Sequence, residues 1–161
     1  MKEDVEICLA TNDDVQELAC LFEQEGMIHR AAMAGFYKQS EDENEYLKKV
    51  NKRFADAHNV ILKAVCNGKI CGFLCMYVPT PDQALEYLVY PLMASVTDIC
   101  VDEQYRRRGI GKMLMHAAEE LLREKGIPAM ELYVYQFNEG AKSFYDSEGF
   151  QPLDLRMYKA L

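Results

Sequence analysis

The stretch VILKAVCNGKICGFLCMYV, residues 60–78, constrains the fold more than any other part of the chain. Both positions of its central Asn67-Gly68 accept the positive φ that a two-residue hairpin turn demands. The apolar, β-branched runs on either side therefore pair antiparallel, and the rest of the chain must be arranged around that pair. Half of the 161 residues are hydrophobic and 27% are charged, which predicts a packed core and one domain spanning 1–161.

The other elements follow from periodicity. Val5 to Leu9 reads as a strand. Asn12 or Asp13 can cap a helix with Val15, Leu18, Ala19 and Phe22 at helical spacing. An irregular segment over 27–43 leads to a second helix over 45–57, with Tyr46, Leu47, Val50 and Phe54 on one face. After the hairpin, prolines at 79, 81 and 91 bound an insertion that must leave the sheet at least in part. ASVTDICV, 94–101, reads as a strand. A long helix then carries Ile110, Leu114, Ala117, Ala118, Leu121 and Leu122 as one stripe, and Gly126 stops it. MELYVYQF, 130–137, reads as a strand, Asn138 as the cap of a helix ended by Gly149, and 153–160 as a last strand. The predicted order is β-α-α-β-β-β-α-β-α-β, a mixed α/β sheet. The strands flanking the Gly109 helix are parallel, joined by a right-handed crossover.

The start of that long helix is the chemically informative place. Arg106-Arg107-Arg108-Gly109-Ile110-Gly111-Lys112 packs positive charge beside two glycines. A helix N-terminus offers unpaired N–H groups and a partial positive charge, and both suit a phosphate. Glycines at 109 and 111 let backbone approach a ligand, while Arg106, Arg107, Arg108 and Lys112 add fixed charge. This predicts a pyrophosphate cradle. Met113 follows the lysine and Leu114 holds the third glycine position, so neither a Walker A loop nor a dinucleotide fingerprint fits.

Arg106 to Gly111 matches [QR]-x-x-G-x-[GA], and NEGAKSFYDSEGF, 138–150, is similar to N-x-x-A-x-x-F-Y-x-x-x-G-F. With the preceding strand Thr97-Asp98-Ile99-Cys100-Val101, these segments resemble the GNAT superfamily of acyl-CoA-dependent N-acetyltransferases over residues 94–150. The resemblance implies a fold whose central parallel strands splay to admit acetyl-CoA as co-substrate. It implies that main-chain groups of Ile99 and Val101, flanking Cys100, bond the acetyl and pantetheine portions. It implies that the backbone from Arg107 through Ile110 to Lys112 holds the pyrophosphate, and that Asn138 bonds the pantetheine arm besides capping its helix. Tyr145 stands at the family's acid position, where it would protonate the departing thiolate. The family's carboxylate positions carry Thr97 and Tyr133 here, so the base is open. Asp98 has the opposite side-chain parity and reads as structural; Glu86, in the insertion, is the candidate base, with a water chain to bulk as the alternative.

The acceptor side is expected between 27–43 and 79–91, with Phe36, Tyr37, Tyr87 and Tyr90 as apolar walls. The alternative use of these aromatics is loop packing or a homodimer contact. The expected acceptor is a primary amine, either a small cation or a peptide N-terminus. A competing reading is a protein of the same fold that binds acyl-CoA without transferring the acyl group. The formal net charge of −8 argues against nucleic-acid binding. The three histidines lack metal spacing, so no metal is expected, and the six cysteines read mostly as small buried thiols of a reducing compartment. Neither a signal peptide nor a membrane span is legible, which predicts a cytoplasmic protein without membrane attachment.

Overall fold

The structure is a computed structural model and describes residues 4–38 and 42–161. The strands are β1 (Val5–Leu9), β2 (Asn59–Cys66), β3 (Lys69–Tyr77), β4 (Met93–Val101) and β5 (Ala129–Leu132); the helices are α1 (Val15–Ala32), α2 (Glu45–Ala55), α3 (Ile110–Glu124) and α4 (Glu139–Ser147). The sheet runs β1-β2-β3-β4-β5. Its first three pairings are antiparallel, and β4 pairs with β5 in parallel through the α3 crossover. Asn67 (φ 52°) and Gly68 (φ 76°) both turn through the left-handed region, as the hairpin requires. No helix of the described residues is long and apolar enough to cross a membrane.

Each face of the sheet has its own core. Leu74, Met76, Ala94 and Val96 pack under Ile110, Leu114, Met115 and Ala118 of α3. Phe73, Cys75 and Cys100 pack under Leu18, Leu21 and Phe22 of α1 and Val50 of α2. Residue alternation alone would put Ala94, Val96, Asp98 and Cys100 of β4 on one side. They lie on two, because the β3–β4 register slips at Thr97: Met76 faces Val96, but Cys75 faces Asp98. That bulge turns Asp98 and Cys100 toward α1 and α2, and leaves Ile99 and Val101 on the α3 side. Thr97 itself is tied down by its Oγ1, which donates to the Cys75 carbonyl at 3.2 Å.

The same place ends the parallel pairing. The β4–β5 register stops at Val96↔Leu132, so the stretch of β4 beyond it has no strand on that side among the described residues. The strand expected over 130–137 is therefore short, and Tyr133, Val134 and Phe137 are exposed beyond its end. The strand expected over 153–160 does not form: 150–161 is irregular, with Leu153, Leu155 and Met157 exposed. An alternating run needs a neighbouring ladder, and β5 offers only four residues. The first helix is longer than its apolar stripe suggests and runs to Ala32, through the start of the segment expected to be irregular. Part of that segment, 39–41, lies outside the described residues. The capping bond lies at Thr11, ahead of a 3-10 turn over Asn12–Asp14 that leads into α1: the Thr11 N–H donates to Asp14 Oδ2 at 2.7 Å in a capping box, and Asp14 stands at the N-cap of α1 itself.

Candidate active site

The loop from β4 into α3 carries the basic run of Arg106, Arg107 and Arg108 to the helix N-terminus. Arg107 (φ 65°) and Gly109 (φ 83°) both adopt left-handed backbone, and such alternation turns successive N–H groups to one side. Gly109 is the N-cap of α3, and the first turn holds no acidic residue. A Cβ on Gly109 would point into open space, so its φ, rather than crowding, selects glycine. Gly111 differs from the sequence expectation. A Cβ there would stand 3.4 Å from the Phe144 ring, so the space it leaves is filled by α4.

The basic side chains divide their work. Arg106 Nε donates to the Val101 carbonyl at 3.0 Å, and an Arg108 Nη donates to the Gln104 carbonyl at 3.0 Å. The Arg108 guanidinium also lies 5.1 Å from the Tyr105 ring centre. Both arginines brace the loop that carries them. Lys112 reaches Glu148 of α4 at 3.5 Å. Arg107 makes no side-chain hydrogen bond or ion pair among the described residues.

Beyond Val96, Ile99, Cys100 and Val101 run toward that loop with one backbone edge unpaired by any strand. Burial pushes the Cys100 thiol up to about 12, so it stays neutral. Asn138 caps α4, its Oδ1 accepting from Ala141 N–H at 3.1 Å. Further along the same helix, Tyr145 packs between Phe144 and Phe150, ring centres 5.4 and 5.8 Å away. Its hydroxyl makes no hydrogen bond among the described residues. Burial, and then the nearby Glu25 charge, raise its pKa to about 12, which keeps the proton on the oxygen.

Glu25 is the residue that sequence reasoning missed. It continues the α1 stripe of Leu18, Leu21 and Phe22, and His29 follows one turn later. A carboxylate on a buried stripe was the available signal. Its side chain is 15% exposed, and Lys49 Nζ lies 3.7 Å from Oε2, too far for a hydrogen bond. Lys49 instead sits 2.7 Å from Asp98, which also pairs with Arg53 at 2.8 Å. Asp98 is thus buried, doubly paired and structural, and the bulge at Thr97, rather than strand parity, turns it to those cations. Burial and the Asp98 charge raise Glu25 to about 7, against the opposing charges of Lys49 and Arg53.

An aromatic wall adjoins. His29 meets Tyr37, Tyr135 and Phe137 at ring-centre distances of 6.4, 5.2 and 6.1 Å. The Tyr37 and Tyr135 hydroxyls bond to each other, and Phe36 packs on Tyr37. Burial first, then the Tyr135 bond and the Glu25 charge, raise Tyr37 to about 12. Of the expected acceptor aromatics, then, Phe36 and Tyr37 join a cluster. Tyr87 (81% exposed) and Tyr90 have no ring contact among the described residues. The insertion forms a shallow cleft of Pro79, Gln83, Leu85 and Leu88 against Glu131, whose Oε1 accepts from the Ser95 hydroxyl at 2.6 Å. Glu86, the expected base, is exposed and makes no hydrogen bond or ion pair among the described residues.

The profile of the acetyltransferase (GNAT) family matches residues 25–150. An uncharacterized N-acetyltransferase of Methanocaldococcus jannaschii is 29% identical over 159 residues, covering 94% of this chain; the chain spans 65% of that relative's own length. A spermidine N(1)-acetyltransferase of Thermoplasma acidophilum is 26% identical over 140 residues, covering 87% of this chain and 86% of its own. The crystal structure of a tetramutant of the BH1408 protein from Bacillus halodurans superposes with a TM-score of 0.85 at 27% identity, covering 97% of this chain and 99% of that one.

Proposed function

Given that the chain belongs to the GNAT family of acetyltransferases, we propose that it moves an acetyl group from acetyl-CoA to the primary amine of a small cationic acceptor of the polyamine type. The observation that carries this reading is the open edge of β4 beyond Val96, leading straight into the left-handed loop at the α3 N-terminus. A donor with a diphosphate at one end and an extended amide arm at the other fits a receptor of that shape. The backbone N–H groups from Arg107 to Lys112 hold the diphosphate, with the Arg107 guanidinium free to add charge. Main-chain groups of Ile99 and Val101 bond the arm as a further strand would, and Asn138 closes it from α4.

Acetyl-CoA supplies a thioester whose carbonyl the amine attacks and whose thiolate leaves. The Ile99 N–H opposes the charge that develops on the carbonyl oxygen, a contribution of about 3 kcal/mol in comparable sites. Tyr145 gives its proton to the departing sulfur. Its unbonded hydroxyl and raised pKa make it a proton donor across the working pH range. The aromatic wall of His29, Tyr37, Tyr135 and Phe137 suits an alkylammonium, which rings attract. The acetylation of spermidine named for the Thermoplasma relative agrees with that choice.

The test is acetyl transfer, followed by mass spectrometry, from acetyl-CoA to spermidine, to an aminoglycoside and to a peptide with N-terminal alanine. Spermidine is expected to be acetylated fastest. Acetyl-CoA binding by calorimetry with no product from any of the three would leave an acyl-CoA-binding protein without transferase activity.

A further inference from the structure

We propose that Glu25 is the general base that takes the proton from the acceptor's ammonium, a role that rests on the amine-acetylating reading above. A carboxylate withdrawn from water is normally held by partners. Glu25 Oε2 is sealed inside the protein with no hydrogen-bond partner among the described residues. Lys49, the nearest cation, is committed to Asp98 at 2.7 Å and stays 3.7 Å from Glu25. The fold therefore gains little from this carboxylate, and a cation arriving from outside would be its missing partner.

Its position fits the reaction. The charge on Glu25 is felt at Tyr145 on α4, at Cys100 on β4 and at Tyr37 of the aromatic wall. Tyr145 belongs to the α3 side of the sheet, while Glu25 rides on α1 over the other side. The two can sense each other because β5 has parted from β4 there. Acid and base thus flank the open edge where donor and acceptor meet. The other carboxylates are otherwise engaged. Asp98 is locked by two cations, Glu131 accepts from Ser95, and Glu86 is on the exposed insertion.

The titration supports the assignment. Asp98 from β4 and Lys49 and Arg53 from α2 act on Glu25; Cys100 from β4, Tyr37 from the loop after α1 and Tyr145 from α4 feel its charge in turn, and His29 stands one turn further along α1. Burial and Asp98 hold the proton on Glu25, Lys49 and Arg53 oppose them, and the balance lies at about 7. A base of that strength is ionised near neutrality yet far more basic than an ordinary carboxylate. The proton balance closes as follows. The ammonium gives one proton to Glu25, which passes it to solvent. The neutral nitrogen attacks, the carbon–sulfur bond breaks, and the sulfur takes the Tyr145 proton. The second proton lost by nitrogen returns to Tyr145 through solvent.

The experiment compares the wild type with Glu25→Gln and Glu25→Asp, with spermidine as acceptor, across neutral to alkaline pH. In the wild type, kcat/KM should rise with an apparent pKa near 7 and then level off, because above that pH Glu25 is already fully ionised while the acceptor is still an ammonium. Glu25→Gln should be slower by about 100-fold near neutrality. Its profile should lack the plateau and climb with the free-amine fraction up to the ammonium pKa of about 10. Glu25→Asp should restore part of the rate and the plateau. Acetyl-CoA affinity should not change, and the Glu25 carboxyl carbon should titrate near 7 by NMR in the wild type. A folded Glu25→Gln protein with the wild-type rate and plateau removes Glu25 from the chemistry and leaves the transferase reading standing. A wild type that acetylates no amine overturns both.

Discussion

Tyr145 and Glu25 are both shifted upward by burial, with opposite consequences. At about 12, Tyr145 keeps its proton through any ordinary assay, so in the proposed reaction it is an acid available at every pH. Tyr145→Phe preserves the ring's contacts with Phe144 and Phe150 and removes only the proton. The expected result is a fall in kcat of about 100-fold with unchanged acetyl-CoA affinity, the pattern of a group needed only as charge develops. A variant with wild-type kcat where chemistry limits the rate would reduce Tyr145 to a packing residue. Glu25 also bears on stability. Its folded pKa of about 7 lies above the ordinary 4.5, so the folded chain holds this proton longer than the unfolded chain does. Stability from this group is full below about 4.5 and is lost as pH rises to about 7, by on the order of 3 kcal/mol at most. Glu25→Gln should accordingly melt higher than the wild type at pH above 7, and the difference should shrink in acid. Thermal melts at the two ends of that range check it; a lower Tm for the variant in alkali would mean that Lys49 needs Glu25 more than the 3.7 Å contact suggests.

At the scale of elements, the turn from β4 into α3 separates two glycines that look alike in sequence. Gly109 is held at φ 83° with nothing near its missing Cβ, whereas Gly111 lies against Phe144. Gly109→Ala should cost about 1 kcal/mol through left-handed strain and should weaken acetyl-CoA binding, because its methyl enters the space over the loop. Gly111→Val should cost more stability, about 1–3 kcal/mol, since it drives α4 away from α3. Denaturant melts and calorimetry on the two variants distinguish the roles; equal stability losses would erase the distinction. The contrast also marks what was legible. The glycines, the basic run and the Asn138 cap are local signals, and each landed in the predicted element. The neighbour of Gly111 is set by how α4 docks, which no local pattern encodes. ASVTDICV alternates cleanly, so nothing in it announces the bulge at Thr97 that sends Asp98 toward Lys49 and Arg53. Glu25 was hidden for the opposite reason: the sequence from 27 onward reads as irregular, but α1 continues to Ala32, so Glu25 sits well inside a helix. LDLRMYKAL alternates like a strand, but alternation describes a surface and supplies no partner for its backbone.

Across the whole molecule, the proposed reaction puts the two substrates' chemistries on different elements. In it the diphosphate goes to the Arg106–Lys112 turn at the head of α3, and the ammonium to Glu25 and the aromatic wall on α1 and the segments that meet it. A chain of formal net charge −8 on balance disfavours the approach of an anionic donor and favours that of a cationic acceptor. Salt should therefore act on the two substrates differently. Between about 0.01 M and 0.15 M salt the Debye length falls from ~30 Å to ~8 Å, which removes long-range attraction but leaves contacts inside the site. For spermidine, kcat/KM should drop several-fold over that range, because encounter with a negatively charged surface is accelerated only at low salt. For acetyl-CoA at saturating spermidine, screening weakens both the repulsion by the whole molecule and the attraction by the turn, so kcat/KM should change less. Charge-neutralising Arg107→Gln should tilt that balance, lowering acetyl-CoA capture most at low salt while leaving the salt slope for spermidine as it was. Steady-state kinetics at several salt concentrations, with viscosity and pH held constant, read both slopes. A spermidine kcat/KM that ignores salt would mean that the acidic surface serves solubility alone and that selection of the cation happens only after it reaches the pocket.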